Sequence, residues 1–447
     1  MSLLERLQKQ NNDSSAGSAS AAPPSANEVK KFDVKAKLQK YLLQELKSDE
    51  IGDERAVKRK VKELSEKFLA SETERLSPAD EKQLIETTMD EVAGYGPITT
   101  YLKDPDVSEI MVNGPFHIFV EKGGKIVRTR SQFRDDQHVL QVIEKIVAPL
   151  GRRIDESTPM VDARLPDGSR VNAIIPPLAL NGPTVTIRKF PTKRLEMGDL
   201  IRFGTLSPNM AKFLEGCIRS RLNVFISGGT GSGKTTLLNV LSSFIPNDER
   251  IVTIEDAAEL KLHQEHVVSL ETRPPNVEGK GAVTIRDLVR NSLRMRPERI
   301  IIGEVRSAEA LDMLQAMNTG HDGSLATGHA NSPRDMLARL ETMVLMSGME
   351  LPIRAIREQI SGAIDIIVQQ SRMKDGTRKI THITEVLGME GDKIVLQDLF
   401  TFQQTGLQSD GKVAGTFAPT GIRPYCYETL EHHGVTLPPE WFWEGSA

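Results

Sequence analysis

The strongest chemical signal in the sequence is a glycine-rich octapeptide, Gly228-Gly229-Thr230-Gly231-Ser232-Gly233-Lys234-Thr235. It satisfies the pattern G-x-x-x-x-G-K-[ST] of a phosphate-binding loop. The glycines allow several backbone N–H groups to converge on phosphate oxygens, and the start of a following helix favours negative charge. The octapeptide therefore predicts a binding site for the phosphates of a nucleotide.

The residues around the octapeptide agree with this interpretation. A buried strand is predicted over 223–227, and apolar residues over 237–241 predict a helix directly after the loop. We expect Lys234 to neutralise the β and γ phosphates of ATP, and Thr235 to place its hydroxyl on Mg²⁺. Thr236 joins the octapeptide in the predicted nucleotide-binding set. A glycine turn without function is disfavoured, because the pattern rarely arises by chance in a chain of this length.

A second acidic element is expected on a neighbouring strand, and Glu304 ends the apolar run 299–303. The segment is a degenerate Walker B element, in which Gly303 replaces the usual Asp. We expect Mg²⁺ to rely on Thr235, phosphate and water, and Glu304 to orient or activate the attacking water. The alternative is a surface glutamate that follows a buried strand.

Further acidic residues follow another apolar strand, predicted over 251–254. Glu255, Asp256 and Glu259 lie just beyond its C-terminal end, where open parallel sheets bind their ligands. Glu255 is the better candidate for a catalytic contact with water, or for a contact with Mg²⁺ directly or through water. For Asp256 and Glu259, structural capping of a loop is an open alternative.

Two histidines, His321 and His329, stand in the glycine- and serine-rich segment 319–332. This segment could sense the γ phosphate, and we include His329 in the nucleotide-binding set. A satisfied structural role is the alternative for an isolated histidine, and the spacing is not that of a helical metal-binding pair.

The rest of the sequence predicts the elements that hold these residues. A low-complexity, flexible tail over 1–29 precedes a helical bundle over 30–97. Short β-rich segments and one helix predict an α+β domain over 98–190, and a linker follows over 191–205. From 206 to 447 strands and helices alternate, which is typical of a parallel sheet covered by helices. The predicted fold class is α/β: a P-loop core with a C-terminal extension, after the α+β domain and the helical bundle.

The composition excludes several classes of protein. The 447 residues carry 57 Lys and Arg against 61 Asp and Glu, so the chain has no global electrostatic footprint for nucleic acid. Two cysteines, Cys217 and Cys426, are too few for a disulfide framework. The sequence has neither an apolar run of about 18 residues nor the pattern of a signal peptide. We therefore expect a cytoplasmic protein whose membrane contact goes through partner proteins.

Four elements in a fixed order resemble the type II/IV secretion ATPase superfamily: the Walker A loop, the acidic box 254–260, Gly303-Glu304 and the histidine segment. Within that superfamily the chain is most similar to the tight-adherence (Tad/Flp) pilus assembly ATPases. The likeness extends to 109–115 and 161–172 in the preceding domain and to 411–439 near the C-terminus.

The resemblance implies that the P-loop core is RecA-like. It also implies a hexameric ring, with ATP bound between the two domains and at subunit edges. It also implies arginines of the N-terminal domain that reach the phosphates, and Arg164, Arg170 and Arg188 occupy the matching positions. Guanidinium groups can stabilise charge on the transferred phosphoryl group, whereas pairing with surface acids is the alternative for each arginine. The implied partners are platform proteins of a pilus or secretion machine, at the inner face of a bacterial or archaeal inner membrane.

The same core also serves other functions. A nucleic-acid translocase would need a basic channel with aromatic residues, whereas only 5% of the residues are aromatic. A nucleotide-binding regulator without turnover is disfavoured by the presence of both Glu255 and Glu304, and a small-molecule kinase by the lack of an evident second-substrate motif. We expect ATP hydrolysis to drive a cyclic domain motion that moves pilin subunits.

Overall fold

The computed structural model describes residues 54–72, 75–92, 94–190, 195–275, 279–407 and 411–443, together with positions 34, 37, 38, 41, 42 and 45. The chain divides into two compact units, Met1–Thr192 and Lys193–Ala447. The predicted tail 1–29 and positions 191–194 of the predicted linker lie outside the described residues.

The first described residues of this unit belong to helices that share a small apolar core. Helix α1 spans Glu54–Ser71 and α2 spans Pro78–Val92. Ser77 caps α2, since its hydroxyl accepts a hydrogen bond from the N–H of Asp80 at 3.2 Å, and Pro78 occupies the first turn. The shared core contains Val34, Leu38, Leu42, Val61, Leu64 and Leu84.

The rest of the first unit is an antiparallel sheet that packs against a helix. Its strands are β1 (Val107–Asn113), β2 (Ile118–Lys122), β3 (Lys125–Arg128), β4 (Met160–Arg164), β5 (Arg170–Ile174) and β6 (Thr184–Arg188). Its helices are α3 (Thr99–Lys103) and α4 (Asp136–Val147). The strand order is β3-β2-β1-β6-β5-β4, and the apolar face of α4 joins the same core. The α+β character predicted for this region is confirmed.

Part of the predicted linker 191–205 is a helix of the second unit. Helix α5 spans Met197–Arg202, and its Leu200 is buried in the apolar core. The carboxylate of Asp199 closes its first turn by accepting a hydrogen bond from the N–H of Glu196 at 3.0 Å. The prediction of a linker is wrong for these residues, because a six-residue helix is too short to show a helical period.

Nine strands of the described residues form the sheet of the second unit. They are β7 (Val224–Gly228), β8 (Ile251–Glu255), β9 (Val267–Glu271), β10 (Arg299–Ile302), β11 (Leu325–Gly328), β12 (Ile366–Arg372), β13 (Arg378–Glu390), β14 (Lys393–Leu407) and β15 (Val413–Pro419). Their order in the sheet is β15-β14-β13-β12-β7-β11-β10-β8-β9. The strands from β12 to β9 in this order run parallel, and β13, β14 and β15 continue the sheet antiparallel. The predicted parallel sheet is confirmed.

Helices cover both faces of this sheet. They are α6 (Pro208–Arg219), α7 (Lys234–Ser242), α8 (Ile285–Ser292), α9 (Glu309–Asn318), α10 (Pro333–Leu345), α11 (Ile353–Ala363) and α12 (Tyr427–His432). Alternate residues of β7 belong to two different cores, Val224 and Ile226 to one and Phe225 to the other. Every residue of β7, β8, β10 and β11 is buried, as expected for strands covered on both faces. None of the helices in the described ranges is long and apolar enough to cross a membrane.

Candidate nucleotide-binding site

The glycine-rich octapeptide joins the end of β7 to the start of α7, as the sequence predicted. Gly231 and Gly233 adopt left-handed backbone conformations, with φ of 70° and 99°, which disfavour any residue with a side chain. A Cβ atom at Gly228 would overlap the carbonyl oxygen of Gln370 and would lie 2.6 Å from Ser232 Oγ. The glycines thus permit both the turn and the close approach of a neighbouring strand. Thr235 and Thr236 fall in the first turn of α7.

The order of the parallel strands brings the other predicted elements to the same edge of the sheet. Strands β7, β11, β10 and β8 are consecutive neighbours. Just at or after their carboxyl ends stand the phosphate loop, His329, Glu304 and Glu255 respectively. This edge is the usual location of ligands in open parallel sheets.

Lys234, His329 and Glu304 form a chain of polar contacts. Lys234 Nζ lies 3.2 Å from His329 Nδ1, and His329 Nε2 lies 2.7 Å from Glu304 Oε1. Burial and the charge of Lys234 lower the pKa of His329, so the ring is neutral at pH 7. Nδ1 then accepts from the ammonium group, and Nε2 faces the carboxylate, whose Oε1 has no hydrogen-bond partner in the described part of the chain. His329 therefore links the lysine of the phosphate loop to the predicted catalytic glutamate.

Glu304 is also held by Arg306, a residue for which no role was predicted. Arg306 Nη2 lies 2.6 Å from Glu304 Oε2, and Arg306 Nη1 lies 3.3 Å from Asp256 Oδ2. Burial raises the pKa of Glu304, but the hydrogen bond and charge of Arg306, with the nearby His329 and Lys234, outweigh burial and lower it. The carboxylate is therefore ionised at neutral pH and can orient a water molecule or accept its proton. Arg306 stands two residues after Glu304, and this spacing is the signal in the sequence that could have predicted the ion pair.

Glu255 is buried, with 3% of its surface exposed, and organises the acidic box from within. Its Oε1 accepts hydrogen bonds from the N–H groups of Glu259 at 2.8 Å and Leu260 at 3.1 Å. A Cβ atom at Gly303 would lie 2.8 Å from Glu255 Cγ, so the glycine of the degenerate Walker B leaves space for this side chain. The predicted contact of Glu255 with water or Mg²⁺ stays a prediction.

The two histidines have different environments. His321 Nδ1 lies 3.2 Å from the carbonyl oxygen of Ala316 in the last turn of α9, and Ser324 Oγ donates to the carbonyl of His321 at 2.7 Å. Strand β11 separates His321 from His329. The structural alternative describes His321, whereas His329 lies beside the phosphate loop.

The three predicted arginines form a row across the sheet of the first unit. Arg164 is the register partner of Arg170, and Arg170 is the register partner of Arg188. Arg188 Nε also lies 2.8 Å from Glu109 Oε1, so the alternative of pairing with an acid is realised for this residue. Like charges on directly opposed residues repel each other, so such a row favours an anion nearby. The role of these arginines toward ATP stays a prediction.

Strand β12 contributes two glutamines that no sequence motif indicated. Gln369 pairs in register with Ser227 and Gln370 with Gly228. Gln369 Nε2 donates to the carbonyl oxygen of Ala330 at 3.1 Å, and so holds the residue after His329. Only the register of β12 against β7, which joins segments far apart in the sequence, could have placed these side chains.

Several features of this edge fit a ligand rich in phosphate oxygens. Ser227 Oγ and Ser232 Oγ are buried polar atoms with no hydrogen-bond partner in the described part of the chain. Such atoms are rare unless a ligand or water satisfies them. Across the same residues, no group of three or more His, Cys, Asp or Glu side chains is arranged to hold a metal ion. Thr235, in the first turn of α7, offers a hydroxyl oxygen, which is the kind of ligand that Mg²⁺ takes. The contact of Thr235 with Mg²⁺ stays a prediction.

Comparison with known proteins assigns the chain to a family. The model of the family "Type II/IV secretion system protein" matches residues 91–398. The chain is 35% identical over 295 residues to the conjugal transfer protein TrbB of Rhizobium radiobacter, which covers 65% of this chain and 86% of TrbB. It is 48% identical over 248 residues to an uncharacterized protein of Methanocaldococcus jannaschii, which covers 53% of this chain and 34% of that protein.

A solved structure is also similar. The crystal structure of the VirB11 ATPase from the Brucella suis type IV secretion system, in complex with sulphate, has 30% sequence identity and a TM-score of 0.36. The match covers 64% of this chain and 94% of VirB11. The family match covers well over half of the 447 residues and contains the phosphate loop, Glu304 and His329. The chain therefore belongs to the type II/IV secretion system protein family.

Proposed function

We propose that this chain is an Mg²⁺-dependent ATPase that works as a hexameric motor for pilus assembly or protein secretion, of the tight-adherence type. The observation that carries the proposal is the chain of contacts Lys234–His329–Glu304 behind the phosphate loop. It joins a phosphate-binding cation to an ionised carboxylate through a neutral histidine. A P-loop protein that only bound nucleotide would have no need of the contact between His329 and Glu304.

Each residue has a defined part in the proposed reaction. Lys234 Nζ lies 3.1 Å from the carbonyl oxygen of Gly229 as well as near His329, and both are weaker acceptors than the phosphates of ATP. On binding, the ammonium transfers to the β and γ phosphates, and His329 Nδ1 is left to another donor. Glu304 orients the attacking water. His329 couples the position of Glu304 to the presence of phosphate, because it contacts both Lys234 and Glu304. Mg²⁺, bound by Thr235, phosphate oxygens and water, would neutralise phosphate charge.

The motor part of the proposal is supported by family membership and by the resemblance to pilus ATPases. In such a machine the arginine row of the first unit would complete the site of the same or a neighbouring subunit, and platform proteins at the inner face of the membrane would receive the motion. The negative net charge and low aromatic content favour this over a nucleic-acid translocase.

The test is Mg²⁺-dependent ATPase activity per mole of protein, measured over a wide range of protein concentration. We expect specific activity to rise with concentration and then level off, because sites completed by neighbouring subunits need assembly. Lys234→Ala should lose tight ATP binding, and Glu304→Gln should bind ATP with nearly no turnover. Undiminished ATP affinity in Lys234→Ala would overturn the proposal, and wild-type turnover in Glu304→Gln would move the role of the base to another carboxylate.

A further inference from the structure

Strand β12 lies directly beside the phosphate loop, and one of its residues contacts both ends of that loop. Gln370 is 3% exposed, and its carbonyl oxygen occupies the position that a Cβ of Gly228 would need. Its Nε2 would lie 3.2 Å from a Cβ at Gly233, the residue before Lys234. The backbone of Gln370 thus touches the start of the loop, and its carboxamide touches the end.

The carboxamide is a polar group in a place where packing alone does not require one. Gln370 Oε1 is buried, and no atom of the described residues forms a hydrogen bond with it. An unpaired buried carbonyl group destabilises a folded protein, whereas an apolar side chain of the same length would fill the space without this cost. The carboxamide can exchange its donor and acceptor ends by rotation about the last bond, so either end can face the loop.

The same strand also brings a positive charge to the loop. Arg372 is the last residue of β12, and its Nη1 would lie 3.5 Å from a Cβ at Gly231. Strands β12 and β11 flank β7 on opposite sides, so Arg372 approaches the loop from the side opposite to His329. A guanidinium group suits this position because it can donate two parallel hydrogen bonds to phosphate oxygens.

We propose that β12 is an element of the nucleotide site: Gln370 is a positioning residue that holds the phosphate loop in its binding shape, and Arg372 adds a phosphate contact from the same chain. The inference rests on the proposed binding of ATP at this loop. It adds Gln370 and Arg372 to a site that is otherwise formed by the Walker A, acidic, Walker B and histidine elements.

The first test replaces the polar atoms of Gln370 and keeps its length, with Gln370→Met. We expect the affinity for a fluorescent ATP analogue to fall about ten-fold or more, the loss typical of one hydrogen bond near a charged group. Without nucleotide, the melting temperature should stay the same or rise, because an unpaired buried group is removed. A purely structural role would lower the melting temperature and leave the affinity per folded molecule unchanged, and that result would overturn the assignment of Gln370.

The second test compares Arg372→Gln with Lys374→Gln, which removes the same charge from the adjacent exposed turn. We expect ATP affinity to fall in the first variant only, with partial recovery in Arg372→Lys. Equal losses in both glutamine variants would reveal a general charge effect and overturn the contact. Lys234→Ala is the reference for ATP binding at the phosphate loop. If the wild-type protein binds ATP no better than Lys234→Ala, the proposed function itself fails. If ATP affinity falls in Lys234→Ala but in none of the Gln370 and Arg372 variants, only the role of β12 is overturned.

Discussion

A single methyl group at Gly303 should disrupt the site, although most P-loop proteins carry an Asp at this place. In Gly303→Ala the new Cβ would lie 2.8 Å from Cγ and 3.4 Å from Cβ of Glu255. The Cγ atom is close to the backbone, so the carboxylate cannot move away by rotation of its end alone. Overpacking of a buried site costs about 1–3 kcal/mol, and loss of a hydrogen bond to a charged acceptor about 1.5–3 kcal/mol more. We expect a total loss of about 2.5–6 kcal/mol of stability, since Glu255 accepts from the N–H groups of Glu259 and Leu260.

The assay is a double-mutant cycle on thermal unfolding with Gly303→Ala, Glu255→Ala and the double variant. Removal of Cγ in Glu255→Ala creates the space that the methyl group needs, so Gly303→Ala should cost almost nothing in that background. Gly198→Ala is the matched control, because a Cβ there meets no atom within 4 Å, and it should be neutral or slightly stabilising.

Equal destabilisation by Gly303→Ala in both backgrounds would refute the reasoning, because the clash with Glu255 would then not be its cause. The same argument predicts that Gly303→Asp, which restores the usual Walker B residue, lowers ATPase activity. An increase in activity would show that Glu255 can leave its position without loss of function.

Two further predictions concern ionisable groups. Burial raises the pKa of Asp365 from 3.8 to about 6, so the folded state binds a proton more readily than the unfolded state. The contribution of Asp365 to stability should therefore rise as the pH falls from 7 to 4, by up to ~3 kcal/mol. Over this range the difference in melting temperature between the wild type and Asp365→Asn should shift in favour of the wild type, and a constant difference would contradict the reasoning. His329→Ala should lower kcat about ten-fold or more and change the ATP dissociation constant less, because it cuts the link between Lys234 and Glu304; steady-state kinetics with separate binding measurements checks this, and a change in affinity alone would make His329 a binding residue only.

The sequence allowed the prediction of those parts of the site that local pattern defines. The octapeptide requires a strand before it and a helix after it, and both are present at β7 and α7. Glu304 and Glu255 each follow an apolar segment, and the parallel order of β10 and β8 places them side by side. In these cases the neighbours along the chain carry the information.

Contacts that depend on strand register could not be predicted from the sequence. Gln370 meets Gly228 only because β12 pairs with β7 across more than a hundred residues of intervening chain. Its immediate neighbours show an ordinary buried strand, with no motif. The long antiparallel strands β13 and β14 are similar, since bulges in their pairing interrupt the regular alternation of apolar and polar residues.

A buried ion pair at the opposite end of the sheet explains why His329 and Glu304 meet. Arg299, fully buried at the start of β10, donates to Glu249 Oε1 at 3.1 Å and to the carbonyl oxygen of Gly323 at 3.1 Å. A Cβ at Gly323 would overlap the guanidinium group, so only glycine fits there. Breaking such a buried pair is strongly unfavourable, which fixes Arg299 against the segment before β11. With the starts of β10 and β11 tied together, Glu304 and His329, which follow the ends of the same two strands, emerge side by side. The need for glycine at position 323 of the histidine segment therefore comes from the contact with Arg299 and not from a contact with phosphate.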